Sequence, residues 1–251
     1  MRHESQWPAC DSVGLPPTQA LDLGVVPYLP AQHLQKRLRR AVADGELPGI
    51  LLLLEHEPVI TVGKRGRAVD IRDPGGAAMR GVTIVESERG GQVTLHAPGQ
   101  LVSYPIMAIP RRDIRSYVFA LEEVLVRVLL EAGLNPSRVP GRPGLYIEGA
   151  KVASLGLRCE RGIASHGTSL NVDMDLSLFD LVTACGELDT RQTSMRAALG
   201  KPVAMDWIKR SYVAAFSAVF GSILAPTRAA SHDQVEALCG LDTVSSGERD
   251  G

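Results

Sequence analysis

The stretch spanning residues 141–186, GRPGLYIEGAKVASLGLRCERGIASHGTSLNVDMDLSLFDLVTACG, constrains the fold more than any other part of the chain. Leu145-Tyr146-Ile147 and Val152-Ala153-Ser154-Leu155 are short β-prone runs, and Glu148-Gly149-Ala150 between them has the length of a hairpin connection. Upstream, residues 50–54 are an uninterrupted apolar run after Pro48-Gly49, the pattern of a central strand buried on both faces. Residues 59–62, 82–86 and 102–109 also have strand composition. Between these runs the period changes. Leu34, Leu38, Ala41 and Val42 fall at helical spacing within residues 30–44, which open on Pro30 and stop at Gly45. Residues 113–132 carry a longer apolar stripe through Leu121, Leu125 and Leu129, stopped by Gly133. Residues 206–222 and 233–238 read as helices too. Strands with intervening helices predict an α/β or α+β fold, a mixed β-sheet packed with helices. The expected organisation is a loose leader over residues 1–20, one domain over 21–240, and a frayed tail over 241–251.

Composition narrows the function classes. A chain of 251 residues, 45% of them hydrophobic, can bury a sizeable core. Its formal net charge of -1 offers no attraction to nucleic acid or to an anionic membrane surface. No run of 18 apolar residues and no charged leader followed by an apolar core is present. The four cysteines, Cys10, Cys159, Cys185 and Cys239, form no C-x-x-C pair, so neither a disulfide framework nor a cysteine zinc site is indicated. A reducing, cytoplasmic setting is the default. His56-Glu57 is not a metalloprotease helix motif, because Ile60 stands where the second His is required. Gly63-Lys64-Arg65-Gly66-Arg67 is a basic loop but not a P-loop; a solvated turn is one reading of it, and a functional loop stays equally open.

Three clusters carry chemistry. Lys151 follows the expected hairpin turn, and Cys185 sits in Ala184-Cys185-Gly186 after a short helical segment. A thiol is a poor nucleophile until ionised, and a neighbouring cation lowers its pKa from about 8.5. Unit charges about 4 Å apart attract by about 4 kcal/mol at an effective dielectric near 20. That is roughly three pK units before desolvation takes some back. The spacing leaves open whether the two side chains meet. In Arg89-Gly90-Gly91-Gln92-Val93-Thr94-Leu95-His96 the glycines allow close backbone approach to a ligand. A strand would put Gln92, Thr94 and His96 on one face, opposite Val93 and Leu95. Taken alone, an exposed hairpin face explains this block equally well. His166, before Gly167, reads either as a hydrogen-bonded structural histidine or as a base. Cys159 and Cys239 read as small, buried or half-buried residues.

Three ordered blocks turn these clusters into one pattern. RGGQVTLHAPGQLVSYPI (89–106), GLYIEGAKVASLGLR (144–158) and HGTSLNVDMDLSLFDLVTACG (166–186) resemble the lipoyl(octanoyl) transferases, which share a fold with lipoate and biotin protein ligases. The match runs from about the first helix to Met195. It implies an octanoyl-acyl-carrier protein as donor. The implied acceptors are lysines of lipoyl domains, in 2-oxoacid dehydrogenase complexes and in the glycine cleavage H protein. No cofactor, metal, membrane or nucleic acid is implied. By the same resemblance Cys185 is the nucleophile that carries the acyl thioester, and Lys151 is the lysine that lowers the thiol pKa. The block Arg89, Gly90, Gly91, Gln92, Val93, Thr94, Leu95 and His96 is the first substrate-binding segment. Ser154-Leu155-Gly156 and Gly167-Thr168-Ser169 are the other two. Ala184 stands where many relatives have Pro, and Ser169 where Ala is usual. Lys151, His96 and His166 all remain open as acceptors of the lysine proton, and backbone N–H groups as oxyanion donors. An ATP-dependent lipoate ligase on the same fold and a non-catalytic lipoyl-domain-binding module are the rival functions.

Overall fold

The apolar run Ile50-Leu51-Leu52-Leu53-Leu54 is buried throughout and splits by parity. Leu51 and Leu53 enter one core, Leu52 and Leu54 the other, because successive side chains of a strand point to opposite faces. The structure, a computed structural model, describes residues 17, 19–183, 190–221, 228–229 and 234–235. The expected leader lies outside the described residues except for 17, 19 and 20. So do the expected tail and all but two residues of the helix expected over 233–238.

The chain begins with β1 (Ala20–Val26), α1 (Tyr28–Ala43), β2 (Ile50–His56) and β3 (Val59–Val62). It continues through α2 (Pro74–Met79), β4 (Thr83–Glu86), β5 (Val93–His96), β6 (Gln100–Ile106) and α3 (Ile114–Glu131). Then come β7 (Ser137–Val139), β8 (Arg142–Ile147), β9 (Ala150–Glu160) and β10 (Ile163–Asn171). The last elements are α4 (Met195–Leu199), α5 (Met205–Phe220) and β11 (Arg228–Ala229). Among the described residues, eight strands form a mixed sheet in the order β11-β1-β2-β6-β10-β9-β8-β7, and β4-β3-β5 form a smaller one. The pairs β1–β2 and β1–β11 are parallel, and from β2 to β7 the large sheet is antiparallel.

The long helices bury the faces their sequences mark. α3, capped by the Asp113 carboxylate on the Arg115 and Ser116 N–H groups, sets Leu121, Leu125 and Leu129 against Tyr212 and Phe216 of α5 and one face of the large sheet. α1 covers the opposite face with Leu34, Leu38 and Val42. The small sheet has its own core, Ile60, Val93 and Leu95 against Ala77, Val82, Leu178 and Leu181. The expected hairpin forms as β8–β9, with Glu148 and Gly149 as its two-residue turn, both at positive φ (49° and 78°). Such a turn matches the twist of the strands it joins. Strand β1, at the edge of the expected leader, and β7 were not legible in the sequence. Cys159 departs from expectation: it is exposed, because β9 loses cover toward Glu160 and Arg161 at the tip of the β9–β10 hairpin. Among the described residues no helix is long and apolar enough to cross a membrane.

Candidate active site

Two departures from regular strand geometry aim the key side chains. Residues two apart on a strand share a face, so Lys151 would stand beside Ala153 against the helices. The ladder instead pairs Leu145 with Ala153 and Tyr146 with Lys151, which leaves Val152 as an extra residue, a β-bulge. Val152 and Ala153 both enter the core on the α3 and α5 side. Lys151 turns to the other face, where it is 3% exposed and lines a cavity with Ser154. Gly144 makes room for it: a Cβ there would lie 2.8 Å from Lys151 Cε and 2.3 Å from the Ala153 carbonyl oxygen.

The second departure is His166. Ala164 and Leu170 of β10 face the α3 and α5 side, and Thr168 reaches the Tyr212 hydroxyl there at 3.2 Å. Even spacing would send His166 the same way. Its φ of 56° turns it instead toward Tyr104, on the α1 side, with the rings edge-on at 5.9 Å. A left-handed conformation costs a non-glycine residue about 1–2 kcal/mol, and the surroundings hold it. The His166 N–H donates to Gln35 Oε1 at 2.7 Å. Pro105, across the ladder in β6, has no N–H to pair with β10.

The small sheet closes the cavity from the other side. Its loop after β4 is zipped to the basic loop after β3: Gly63, Lys64 and Arg65 donate their N–H groups to Gln92, Arg89 and Gly91, each at 3.0 Å. The Gly90 N–H donates to the Leu157 carbonyl at 2.7 Å and ties this loop to β9. Arg89 is buried, and its guanidinium grips Thr61 through both the hydroxyl and the carbonyl, 2.7–3.0 Å. The resulting cavity of about 250 Å³ gathers Lys151, the three glycine-containing segments, and Tyr28, Tyr104, His96 and His166.

Its floor is a cluster of neutral rings. His56 lies 5.1 Å from the Tyr28 ring, 5.5 Å from His96 and 5.9 Å from Tyr104. Burial lowers the His56 pKa to about 4. Burial, with help from Arg89, Arg39 and Arg158, lowers that of His166 to about 3. Burial first, and then His56, holds His96 well below its ordinary value. The same desolvation raises the Tyr104 phenol well above its usual range. Each shift has one leading cause: a charge taken out of water is disfavoured. Hydrogen bonds then assign the protons. His56 Nδ1–H donates to the Val26 carbonyl at 2.9 Å, so its Nε2 accepts from the Tyr104 hydroxyl at 2.7 Å.

Most of the residues singled out in the sequence meet here. Arg89, Gly91, Gln92, Val93, Thr94 and His96 line the cavity, as do Lys151, Ser154, Leu155, Gly156, Gly167, Thr168 and Ser169. Leu95 points into the small sheet's core, and Gly90 serves the tie to β9. Cys185, with Ala184 and Gly186, lies outside the described residues. Its flanks are fixed: the Thr183 N–H donates to the Asp70 carbonyl at 2.7 Å. Further along the chain, the Lys151 N–H donates to the Arg191 carbonyl at 2.8 Å, and Thr193 returns a bond to the Lys151 carbonyl at 2.9 Å. Tyr28, Tyr104, Arg65 and Arg142 also line the cavity, and sequence reasoning missed them. A signal existed for the first two: the chain has only five tyrosines, and Tyr104 lies inside the first matched block. Among the described residues no three His, Cys, Asp or Glu side chains stand together as a metal site.

Comparison with known proteins agrees with this fold. The lipoyl protein ligase A/B catalytic domain family matches residues 27–217. The octanoyltransferase of Chloroflexus aggregans is 42% identical over 204 residues, 79% of this chain and 92% of the relative. That of Rubrobacter xylanophilus is 41% identical over 201 residues, 79% of this chain and 91% of the relative. The fold also matches lipoate-protein ligase A bound with ATP, with a TM-score of 0.73 at 16% identity, covering 89% of this chain and 93% of that one. With its mixed sheet, its zipped glycine loops and its buried lysine, the chain belongs to the octanoyltransferases, acyltransferases within the lipoyl protein ligase A/B catalytic family.

Proposed function

We propose that the chain takes an octanoyl group from the thioester of octanoyl-acyl-carrier protein, holds it as a thioester on Cys185, and passes it to a lysine ε-amine of a lipoyl domain. The acceptors are the lipoyl domains of 2-oxoacid dehydrogenase complexes and of the glycine cleavage H protein. The observation that carries this reading is the convergence of buried Lys151 and three glycine-containing segments on one cavity. At about 250 Å³ the cavity is somewhat smaller than the roughly 300–1,000 Å³ of drug-sized ligand sites, in keeping with a single short acyl chain. Val102, Leu155 and Tyr104 give it apolar wall, while Gln92, Thr94, Ser154 and Ser169 give it hydrogen-bonding groups. Exchange of one thioester for another is close to isoenergetic, so no nucleotide is consumed. Lys151 supplies the positive charge that would keep the thiol ionised.

Mass spectrometry tests the reading. Enzyme mixed with octanoyl-acyl-carrier protein, without ATP and without acceptor, gains the mass of one octanoyl group on Cys185. Hydroxylamine releases it, and apo lipoyl domain discharges it at a rate compatible with turnover. Cys185→Ala forms no adduct, whereas Cys159→Ala behaves as wild type. Octanoylation that appears only with ATP and free octanoate would replace this reading with a ligase.

A further inference from the structure

The cavity has an open end and a closed one. Of its lining residues, Arg65, Gly141, Arg142 and Pro143 are exposed, whereas Val102 and Tyr104 are buried. It therefore opens beside the start of β8 and ends blind at β6, deep in the large sheet. An acyl chain tethered to a carrier protein enters methyl end first, since the carrier stays outside.

The strand register shows what lies along that path. Gly144 of β8 pairs with Ser154 of β9, Ser154 with Ser169 of β10, and Ser169 with Val102 of β6. Directly paired residues share a face. Here it is the cavity face, because Val102 joins the core on the α1 side while Leu170, next to Ser169, joins the one on the α3 side. The Lys151 stem lies over Gly144, so the free part of the row is Ser154, then Ser169, then the valine. The rows on either side are filled. In one, a Cβ on Gly156 would come within 3.1 Å of Arg89 Cδ, and Tyr104 is held by its bond to His56. In the other, Gln100 and Asn171 pair across the ladder and close on each other through a 2.9 Å hydrogen bond. What remains is a groove one row wide.

Its length matches one acyl chain. Strands stand about 4.8 Å apart, so the two spacings from Ser154 to Val102 make about 9.6 Å. An extended chain advances about 1.2 Å per bond, so the seven bonds of an octanoyl group cover about 8 Å. A decanoyl group, with nine bonds, needs about 11 Å and meets the valine, while a hexanoyl group leaves the blind end empty. We infer that this groove gauges acyl-chain length, with Ser169 as its floor and Val102 as its end stop. The gauge rests on the acyl-carrier donor proposed above. Its direction comes from the open and closed ends of the cavity, and its residues all belong to β6, β9 and β10.

The full-length chain is given hexanoyl-, octanoyl- and decanoyl-acyl-carrier protein in competition, with apo lipoyl domain as acceptor, and product masses give the ratios of kcat/KM. Wild type should prefer octanoyl. Val102→Ala should raise the decanoyl-to-octanoyl ratio about tenfold or more, and Ser169→Val the hexanoyl-to-octanoyl ratio by a similar factor, since one methylene in a fitted pocket is worth about 10–200-fold. Combining the two should return the preference toward octanoyl, because methyl groups added at one position are removed from its cross-strand neighbour. Ratios measured within one preparation do not depend on how much of it folds. Ratios unchanged in both single variants, shifts in the reverse direction, or a wild type that takes all three lengths alike would each overturn the gauge. Calorimetric binding of free hexanoate, octanoate and decanoate separates this from failure of the transfer reading. If wild type transfers nothing from the carrier, yet Val102→Ala moves the fatty-acid preference toward decanoate, the donor reading falls and the gauge stands. No shift in either assay overturns the gauge.

Discussion

The role proposed for Lys151 rests on its surroundings. Its stem passes over the gap left by Gly144, its ammonium lies 5.5 Å from the Tyr146 ring centroid, and its backbone is bonded to the segment that follows Cys185. In the proposed function Lys151, held at 3% exposure, acts on the Cys185 thiol through a low-dielectric medium, where the effect of a charge is several-fold larger than in water. Lys151→Met should therefore slow iodoacetamide labelling of Cys185 near pH 7 by about tenfold or more, as the thiol returns toward its free pKa. The same variant labelled at about pH 10, above that free value, should match wild type. An unchanged profile at neutral pH would mean that Lys151 serves the acceptor or the packing rather than the thiol.

At the scale of elements, the contact between β6 and β10 sets the cavity wall. Gly167 has an ordinary φ, so its requirement is one of space: a Cβ would meet the Ser103 carbonyl oxygen at 2.2 Å and Pro105 Cδ at 2.7 Å. Neither atom belongs to a side chain that can swing aside. Gly133, just after α3, is the opposite case, with φ of 82° and nothing within 4 Å of the place a Cβ would take. Gly133→Ala should cost about 1–2 kcal/mol by backbone strain alone. Gly167→Ala should cost about 3 kcal/mol or more by separating two central strands, and should also move Tyr104 and His166 relative to each other. Urea midpoints of the two variants measure the difference. If Gly167→Ala were the milder, the β6–β10 approach would be looser than the geometry states.

For the whole molecule, burying several imidazoles ties stability to pH. His56 and His166 titrate near 4 and 3 in the fold, against about 6.5 in the unfolded chain, and His96 is shifted in the same direction. The unfolded state thus binds more protons below about pH 6.5, and stability falls as pH drops from there through the folded values. For His56 alone the full loss is roughly 3 kcal/mol. Carboxylates such as Glu88, which burial pushes up but Lys36 and Arg158 together pull down by more, add to the loss only at lower pH, near and below their ordinary range. Urea unfolding at pH 7, 5 and 4 should show a steep decline, and His56→Asn should flatten it by about one proton's worth while lowering stability at pH 7. A wild-type curve that stays level between pH 7 and 5 would mean that these rings are already reached by water.

Period and punctuation were enough to find the central strand β2, helices α1, α3 and α5 and the β8–β9 hairpin, because each rests on local facts: alternation, a 3.6-residue stripe, Gly and Pro at the ends. The three ordered blocks likewise contained most of the residues that line the cavity, since a binding surface built from glycine loops leaves its mark residue by residue. What the sequence could not determine is which way two of those residues face. Strict alternation sends Lys151 and His166 toward α3 and α5, and each is reversed by a backbone irregularity, the Val152 bulge in one case and a left-handed residue in the other. Those irregularities persist because distant groups favour them: the packing of Val152 and Ala153 against the helices, the missing N–H of Pro105, the amide of Gln35. Tyr28 and His56 join the site for the same reason, brought in by α1 and β2 from far along the chain. Local sequence determines the elements; only the long-range contacts between them decide which face of a strand becomes a site.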